Sequence, residues 1–435
     1  MTLVKPKEGG KGFYLSINPK AIFSIVICIL VATSGIYYAF FACFFLLIAG
    51  TASYFMGKRS PSLISAVILI VTITCTGLIN ISPTFIYQIK NGINSEVPNR
   101  HYGGTEKFAL KIFQMFLPVT GHRVDLLADV KNIYNEKALM VNENDCATLG
   151  VIGFAGFIIL IAFLLFYQRN ILMEKERIKL LNHLSILNIS AVLLATVGGF
   201  CSIISPLVAY RIRAYNRISV YIAFFSFIAI LVLIEILYKK YLDEKYYIKL
   251  PIGKGYKRIN LSKFFLNIFA ILILLLGLFD QSSLYFIHKQ DKYKSAYEHD
   301  KEFIQRIEKS IPENSMIFQL PYDSYPGTST VHNMEHYDHF RCYLHSKTLR
   351  WSYGVIKGRK DDAWQKSIAS KPVKEMIKIL SKTGFNGIYL NRNGYIDNGM
   401  KIISEIKNVL KDRPIYSKNN QLLFFSMIDY NVSTQ

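Results

Sequence analysis

Six long stretches of this sequence are almost free of charged residues, and they constrain the fold more than any other feature. They cover residues 36–55, 63–79, 148–167, 184–206, 218–238 and 264–286. Most are long enough to cross a hydrocarbon core, which takes roughly 20 apolar residues in a helix. A shorter run, 19–33, follows Asn18 and opens with Pro19, a favourable helix start. The sequence therefore predicts a polytopic α-helical membrane protein with about seven transmembrane helices.

The charges between these runs predict how the helices are oriented. Cytoplasmic loops of membrane proteins carry an excess of Lys and Arg. The 81–147 loop has a net charge of zero. A combined charge of +13 lies in segments 1–20, 57–60, 168–183 and 239–263. We expect these four segments in the cytoplasm, and the 81–147 loop, the 207–217 loop and the C-terminal part outside. The same rule accounts for much of the overall charge of +21 without a nucleic-acid partner.

The chain is predicted to divide into a membrane part, 1–286, and an extracytoplasmic domain, 290–435. In the 81–147 loop, apolar residues recur on one helical face over 106–117, which predicts an amphipathic helix at the membrane interface. The C-terminal part alternates element types and predicts an α/β domain. Its expected helices are 295–310, 372–383 and 398–410, and its expected strands are 316–320, 385–390 and 422–427.

The segment 336–359 combines charged and aromatic residues in a way that neither a solvated loop nor a core accommodates well. We read it as a long insertion after the first strand, forming a partly buried site for an anionic ligand with arginine forks and aromatic walls. A solvated basic face is the alternative. The candidate binding residues are Asp338, His339, Arg341, His345, Arg350, Trp351, Tyr353, Lys357 and Arg359.

A second basic group lies between two of the apolar runs. Arg211, Arg213 and Arg217 fall on the predicted outer side, against the usual distribution of positive charge. An anionic partner at the membrane surface, such as a lipid phosphate, explains them. Anchoring to lipid headgroups explains them equally well from spacing alone.

Metal and acid–base candidates are fewer. His332, His336 and His339 could hold a divalent metal, which requires 332–345 to be helical so that the first two share a face. A hydrogen-bonding network is the favoured reading, so no cofactor is assigned. Glu143 is a candidate general base. Two cysteines, Cys146 and Cys342, are predicted outside, where two free thiols are favoured over a disulfide.

Several segments resemble a set of bacterial polytopic proteins known as sugar translocases or phosphoglycerol-transferase-like proteins, whose architecture is similar to GT-C membrane glycosyltransferases. The resemblance covers most of the chain from about residue 20, and it is carried by residues 33–41, 117–123, 141–145, 213–217 and 336–359. It implies a multi-pass protein of the bacterial inner (cytoplasmic) membrane. It also implies a polyprenyl-phosphate-linked sugar or an envelope glycan as partner, besides the lipid bilayer.

One departure qualifies the resemblance. GT-C enzymes carry a catalytic carboxylate in their first extracytoplasmic loop, whereas the first outer connection here is Ser34-Gly35, without an acid. The chain therefore resembles the C-terminal portion of such an enzyme, with a separately encoded N-terminal half as a possible partner. The expected function is that of a membrane glycosyltransferase-like protein acting on lipid-linked sugars for envelope glycan assembly. The alternatives are a non-catalytic sugar translocase or partner subunit, and a phosphoglycerol transferase.

Overall fold

The computed structural model divides the chain into two compact units. The first comprises Met1–Tyr87 and Asn99–Phe286, and the second comprises Gln88–Pro98 and Ile287–Gln435. Residues 88–98, which were predicted to lie in the 81–147 loop, belong to the second unit. The helix Ser60–Asn91 continues beyond the predicted start of that loop, and its residues 88–91 belong to the second unit. The structure describes residues 3–6, 12–57, 60–97, 103–139, 141–143, 147–166, 175–207, 212–241, 247–252, 255–283, 285–327 and 330–434.

The first unit is built mainly of helices, with two short antiparallel hairpins. The hairpin strands are β1 (Val4–Pro6), β2 (Phe13–Leu15), β3 (Tyr247–Ile252) and β4 (Gly255–Asn260). The helices are α1 (Pro19–Ser34), α2 (Ile36–Gly57), α3 (Ser60–Asn91), α4 (Gly104–Lys107), α5 (Asp125–Lys137), α6 (Gly150–Phe166), α7 (Lys175–Ala195), α8 (Cys201–Leu207), α9 (Ser219–Tyr241) and α10 (Leu261–Gln281).

Among the described residues, five helical spans are long and apolar enough to cross a membrane. They are Ile36–Phe55, Ser60–Asn91, Glu176–Ala195, Tyr215–Lys239 and Phe264–Gln281. Helices α1 and α6 are apolar but shorter. Only 6% of the apolar span of α10 is buried, so Leu272, Leu274 and Leu276 face outward. Large apolar surfaces of this kind are unfavourable in water and stable in lipid, which is typical of a membrane protein.

The predicted helix over 184–206 is wrong. Helix α7 begins earlier and ends at Ala195, and the separate helix α8 begins at Cys201. Gly198 and Gly199 lie between the two helices. Gly198 has a φ of +70°, and a Cβ added at Gly199 would come too close to backbone carbonyl oxygens. A left-handed glycine ends a helix readily, so the apolar run continues in sequence while the helix does not.

The predicted amphipathic helix over 106–117 is also wrong. The segment forms the short α4, then an extended residue, Leu110, and a 3-10 turn at Ile112–Met115. The Leu110 amide donates to the carbonyl of Ala195 at 2.7 Å. Leu110 and Met115 are fully buried. Packing against α7 decides the conformation here, because burial of these side chains outweighs local helix preference.

The second unit is an α/β structure around a five-stranded sheet of order β6-β5-β7-β9-β8. The strands are β5 (Met316–Leu320), β6 (Arg350–Trp351), β7 (Phe385–Asn391), β8 (Ile415–Tyr416) and β9 (Leu422–Ser426). Strands β6, β5 and β7 are parallel, and β9 and β8 continue antiparallel. The helices are α11 (Tyr285–Ser310), α12 (Arg341–His345), α13 (Lys360–Ala369), α14 (Val373–Lys382), α15 (Met400–Leu410) and α16 (Ile428–Thr434).

Alternation along the strands gives the sheet two apolar faces. Ile317 and Tyr389 join the cluster that packs with Phe303 of α11. Phe318 and Ile388 join the opposite cluster, which includes residues of α13, α14 and α15. The predicted strands at 316–320 and 385–390 are confirmed, because a buried strand between two helical layers reads as a short apolar run.

The segment 336–359 is not an insertion outside the sheet. It contains a 3-10 turn at Asp338–Phe340, then α12, then β6, which pairs in parallel with β5. Trp351 of β6 is part of the core on the α11 side of the sheet. Trp351 therefore contributes to packing, which the composition of the block does not reveal.

Candidate functional site

A small polar pocket lies in the first unit, where α2 and α9 begin. Its volume is about 160 Å³. We call it the polar pocket, and it is lined by Tyr38, Glu143, Ala147, Asn216, Arg217, Ser219 and Val220. Two residues that the sequence singled out separately, Glu143 and Arg217, are thus brought to one place.

The turn that carries Arg217 is fixed by the core beneath it. Residues Tyr215–Ile218 form a 3-10 turn immediately before α9. Tyr215 is fully buried, and its ring lies 5.9 Å from that of Phe40. The backbone amide of Asn216 donates to the carbonyl of Phe108 at 3.1 Å. These contacts hold the pocket side of the turn in place without any ligand.

The polar groups of this turn are available for binding. The Oδ1 atom of Asn216 is buried and has no hydrogen-bond partner among the described residues. Leaving such an acceptor unsatisfied costs about 1–3 kcal/mol, which a ligand donor would recover. The guanidinium of Arg217 lies 4.8 Å from the centre of the Tyr37 ring. That of Arg213 lies 4.5 Å from the centre of the Phe108 ring. Within the described part of the chain, neither arginine has a carboxylate partner.

An apolar groove adjoins the polar pocket, because Val220 lines both. Its volume is about 530 Å³. It is lined by Ile27, Cys28, Val31, Ala42, Phe45, Leu46, Ala49, Ile73, Leu187, Val220, Tyr221, Phe224 and Phe225. The Tyr221 hydroxyl donates to the carbonyl of Tyr38, 3.3 Å away, and so links a wall of the groove to a wall of the polar pocket. From Ala42 to Ala49 the groove follows α2 over roughly 10 Å, at 1.5 Å per residue.

The remaining first-unit candidates divide as follows. Arg213 lies on the Phe108 ring and is not a wall of the polar pocket. Arg211 lies outside the described residues, as does Cys146, so the possible disulfide to the buried Cys342 has no structural account.

Three of the four cations predicted to bind an anion in the 336–359 block contact other protein groups in the structure. Arg341 pairs with Asp300 at 2.5 Å and with Asp338 at 3.4 Å. Lys357 pairs with Glu96 at 3.5 Å. An Nη atom of Arg359 donates to the carbonyl of Asn91 at 3.1 Å and to that of Gly92 at 3.2 Å. Arg350 is exposed on the edge strand β6.

The aromatic and histidine members of the block include buried His339, His345, Trp351 and Tyr353 and exposed His336, Tyr337 and Tyr343. Trp351 and Tyr353 lie inside, and the Tyr343 hydroxyl bonds to the carbonyls of both, at 2.8 Å and 2.5 Å respectively. Burial lowers the pKa of His339 to about 4. The neutral ring donates from Nε2 to the carbonyl of Pro321 at 2.9 Å. His339, Trp351 and Tyr353 support the fold and do not line any of the three sites described in this section.

The helical arrangement that the metal alternative required is absent. His332 has a φ of +52° and lies next to a turn in which the Met334 amide donates to the carbonyl of Val331. His332 and His336 are exposed, whereas His339 is buried. Within the described residues, no group of three or more His, Cys, Asp or Glu side chains is placed to hold a metal ion.

A larger cleft lies in the second unit and was not expected from the sequence. Its volume is about 650 Å³. We call it the acidic cleft, because it contains three carboxylates and one arginine. It is lined by Tyr293, Ser295, Ala296, Tyr297, His299, Asp300, Asn333, Glu335, Asp338, Arg341, Leu344, His345, Asn393, Asn419 and Gln421.

The sheet explains where the acidic cleft lies. Asn393 follows the carboxyl end of β7, and Gln421 precedes the antiparallel β9 at the same edge. Asp338 follows β5, which runs parallel to β7. Ligands of open α/β sheets bind outside the carboxyl ends of the strands. Asp338, Arg341 and His345 were predicted from the sequence, whereas the amides were not, because they come from turns without a recognisable motif.

The chain matches no protein-family model, no curated protein and no solved structure. The class that the fold defines is a membrane protein with several apolar helices and a second unit of α/β type.

Proposed function

We propose that this protein is a multi-pass membrane protein that binds a polyprenyl-phosphate-linked sugar through its first unit and takes part in envelope glycan assembly as a glycosyltransferase-like protein. The observation that carries the proposal is the junction at Val220 between the apolar groove and the polar pocket. An amphiphile with a long hydrocarbon chain and a polar, anionic head has the same division of chemistry.

The apolar groove supplies the lipid end of this recognition. Its lining includes Phe45, Phe224 and Phe225, and all its members belong to α1, α2, α3, α7 and α9. In a bilayer, ordinary lipid chains compete with the ligand for such a surface. Selectivity for the ligand therefore comes from the shape of the groove and from recognition of the head group. A branched isoprenoid chain fits an irregular groove lined by aromatic and aliphatic side chains.

The polar pocket supplies the recognition of the head. Arg217 is free of carboxylate partners among the described residues, and an arginine fork matches the oxygens of a phosphate. The buried Oδ1 atom of Asn216 needs a donor, which a sugar hydroxyl provides. Arg213, four residues earlier in the chain, lies on the Phe108 ring and is not a wall of this pocket.

Glu143 is the proposed general base. It would accept the proton of the acceptor hydroxyl while that oxygen bonds to the anomeric carbon. The bond from that carbon to the phosphate oxygen breaks in the same step, and its electron pair leaves with the lipid phosphate. Arg217 would stabilise the negative charge of the departing phosphate. An accessible position suits Glu143 to this role, since its side chain is exposed in the polar pocket.

The topology belongs to the proposal as well. We place about seven spans in a bacterial inner membrane, with the second unit on the extracytoplasmic side, following the distribution of positive charge. The alternative of a non-catalytic translocase or partner subunit uses the same binding site but needs no base.

Binding of polyprenyl phosphate to the full chain in lipid nanodiscs tests the proposal. Arg217→Gln should weaken binding roughly tenfold or more, since a hydrogen bond to a charged group contributes about 1.5–3 kcal/mol. Arg350→Gln is the matched control, because that arginine is exposed in the second unit and should not affect binding. Equal affinity of Arg217→Gln and the parent would refute the site.

A transfer assay separates the enzyme from its non-catalytic alternative. Glu143→Gln should abolish sugar transfer to a glycan acceptor and leave lipid binding unchanged. A parent protein that binds the lipid-linked sugar but transfers nothing favours the non-catalytic role.

A further inference from the structure

The acidic cleft has a charge opposite to that expected of a phosphate site. Asp300, Glu335 and Asp338 face a single guanidinium, that of Arg341. Arg341 is neutralised by two of these carboxylates. Three carboxylates and one guanidinium leave a net charge of −2 among these four groups, so the cleft disfavours a phosphate or sulfate.

We propose that the acidic cleft is a carbohydrate-binding site that takes uncharged sugar residues of a glycan. This is a second site, distinct from the polar pocket of the first unit, and it does not depend on the lipid proposal. Its volume of about 650 Å³ lies within the range of small-molecule sites, roughly 300–1,000 Å³.

The polar groups of the cleft are matched to hydroxyl groups. The side chains of Asn333, Asn393 and Glu335 make no hydrogen bond to other described residues, and neither does the Nε2 atom of Gln421. An amide offers a donor and an acceptor, and a carboxylate offers acceptors only. Neighbouring hydroxyls on a sugar ring both donate and accept, so this combination satisfies them without a net charge on the ligand.

Part of the site is held rigidly. Asp300 is more than nine-tenths buried, and both its bonds to Arg341 go to a single oxygen, Oδ2. Asp338 is fixed between Arg341 and the backbone amide of Glu335, at 3.4 Å and 3.2 Å. The ion pairs thus keep the floor of the cleft in place while the amides remain available.

Aromatic rings supply the surface against which the apolar face of a sugar packs. The Tyr297 ring lies 4.4 Å from the His345 ring at an interplanar angle of 67°. Burial lowers the pKa of His345, which favours an uncharged ring at neutral pH. Tyr293 is largely exposed at the edge of the cleft. Such rings combine an apolar face with a polar tip.

An array of immobilised oligosaccharides tests the proposal with the full chain in a detergent that has no sugar head group, since a maltoside would compete. The array carries uncharged, uronic-acid and phosphorylated glycans. We expect binding to uncharged glycans and weaker or no binding to the acidic ones. Asn333→Ala, Asn393→Ala and Glu335→Gln should each weaken binding roughly two- to tenfold, the value of one hydrogen bond.

The controls are chosen from exposed residues outside the cleft. Asn408→Ala and Glu313→Gln make the same chemical changes and should bind as the parent does. Because the three cleft side chains make no hydrogen bonds within the described structure, their variants should fold with the parent's thermal stability. Preference for acidic glycans, no binding to any glycan, or unchanged binding by all three cleft variants would overturn the proposal. Polyprenyl-phosphate binding is measured separately, so failure of either site leaves the other standing.

Discussion

Burial of His339 predicts that the second unit loses stability as the pH falls below about 6.5. The side chain is 1% exposed, and burial lowers its pKa from 6.5 to about 4. In the unfolded chain the imidazole takes up a proton near its ordinary pKa. Between the two values the unfolded state therefore binds more protons than the folded state, so protonation favours unfolding. The stabilisation is complete above this interval and decreases through it.

The size of the effect follows from the two pKa values. One proton changes the free energy of unfolding by about 1.36 kcal/mol per pH unit. Protonation in the unfolded state therefore lowers the free energy of unfolding by roughly 3 kcal/mol by pH 4. About 1.5 kcal/mol of this loss occurs between pH 6.5 and pH 5. This is a large fraction of the stability of a domain, which is typically about 5–15 kcal/mol.

Tryptophan fluorescence provides a specific assay. Both tryptophans of the chain, Trp351 and Trp364, lie in the second unit. Urea unfolding of the full chain in detergent, followed by this fluorescence at several pH values, therefore reports on that unit. His339→Gln removes the titrating group. The slope of its unfolding free energy against pH should therefore be smaller between pH 6.5 and 5, by up to the slope that one proton contributes.

A matched variant guards against a general effect of histidine. His332 is exposed at a φ of +52°, where asparagine is tolerated, so His332→Asn should keep the slope of the parent. Slopes are compared because His339→Gln also removes a buried hydrogen bond and lowers stability at every pH. Indistinguishable slopes for His339→Gln and the parent would refute the reasoning.

Two further predictions concern packing and charge. Arg341→Leu leaves the buried Asp300 without its partner and should destabilise the second unit by about 2–3 kcal/mol in the urea assay, less than for a fully buried pair because the Arg341 side chain is 43% exposed. Adding Asp300→Asn should restore part of this loss, and no restoration would count against the ion pair. A Cβ at Gly156 would overlap the carbonyl of Ser226, so Gly156→Val should separate α6 from α9 at a cost of about 1–3 kcal/mol, measured by thermal unfolding in detergent. Gly77→Ala, with nothing within 4 Å of the new methyl group, should be neutral or stabilising, and equal effects of the two changes would contradict the close approach.

The apolar helices were predictable because length and hydrophobicity are local properties. Their ends were less so. The run 184–206 carries no charged residue, yet Gly198 adopts a left-handed conformation and separates α7 from α8. The segment 106–117 has helical periodicity, yet Leu110 is extended because it pairs with Ala195. In the first case a glycine turn outweighs the local pattern. In the second, a hydrogen bond to a residue distant in sequence does so.

The candidate sites depend even more than the helix ends on contacts between residues distant in sequence. A sequence displays that Arg217, Arg341 and Lys357 are cations, but it does not display which carboxylates they meet. Tertiary structure pairs Arg341 with Asp300, 41 residues away, and Lys357 with Glu96, 261 residues away. It leaves Arg217 on a tyrosine ring instead. The proposed anion site therefore lies at Arg217 in the first unit and not in the 336–359 block.

The sequence by itself determined that this is a membrane protein with an α/β part, since apolar runs and the alternation of short strands with amphipathic helices are read residue by residue. Only the tertiary structure decided that the 336–359 block supports a core, that Glu143 and Arg217 share one pocket, and that turn residues such as Asn393 line an acidic cleft. The physical reason is that charge pairing, burial and the walls of a cavity depend on distances between residues far apart in the chain, and these distances exist only once the chain has folded.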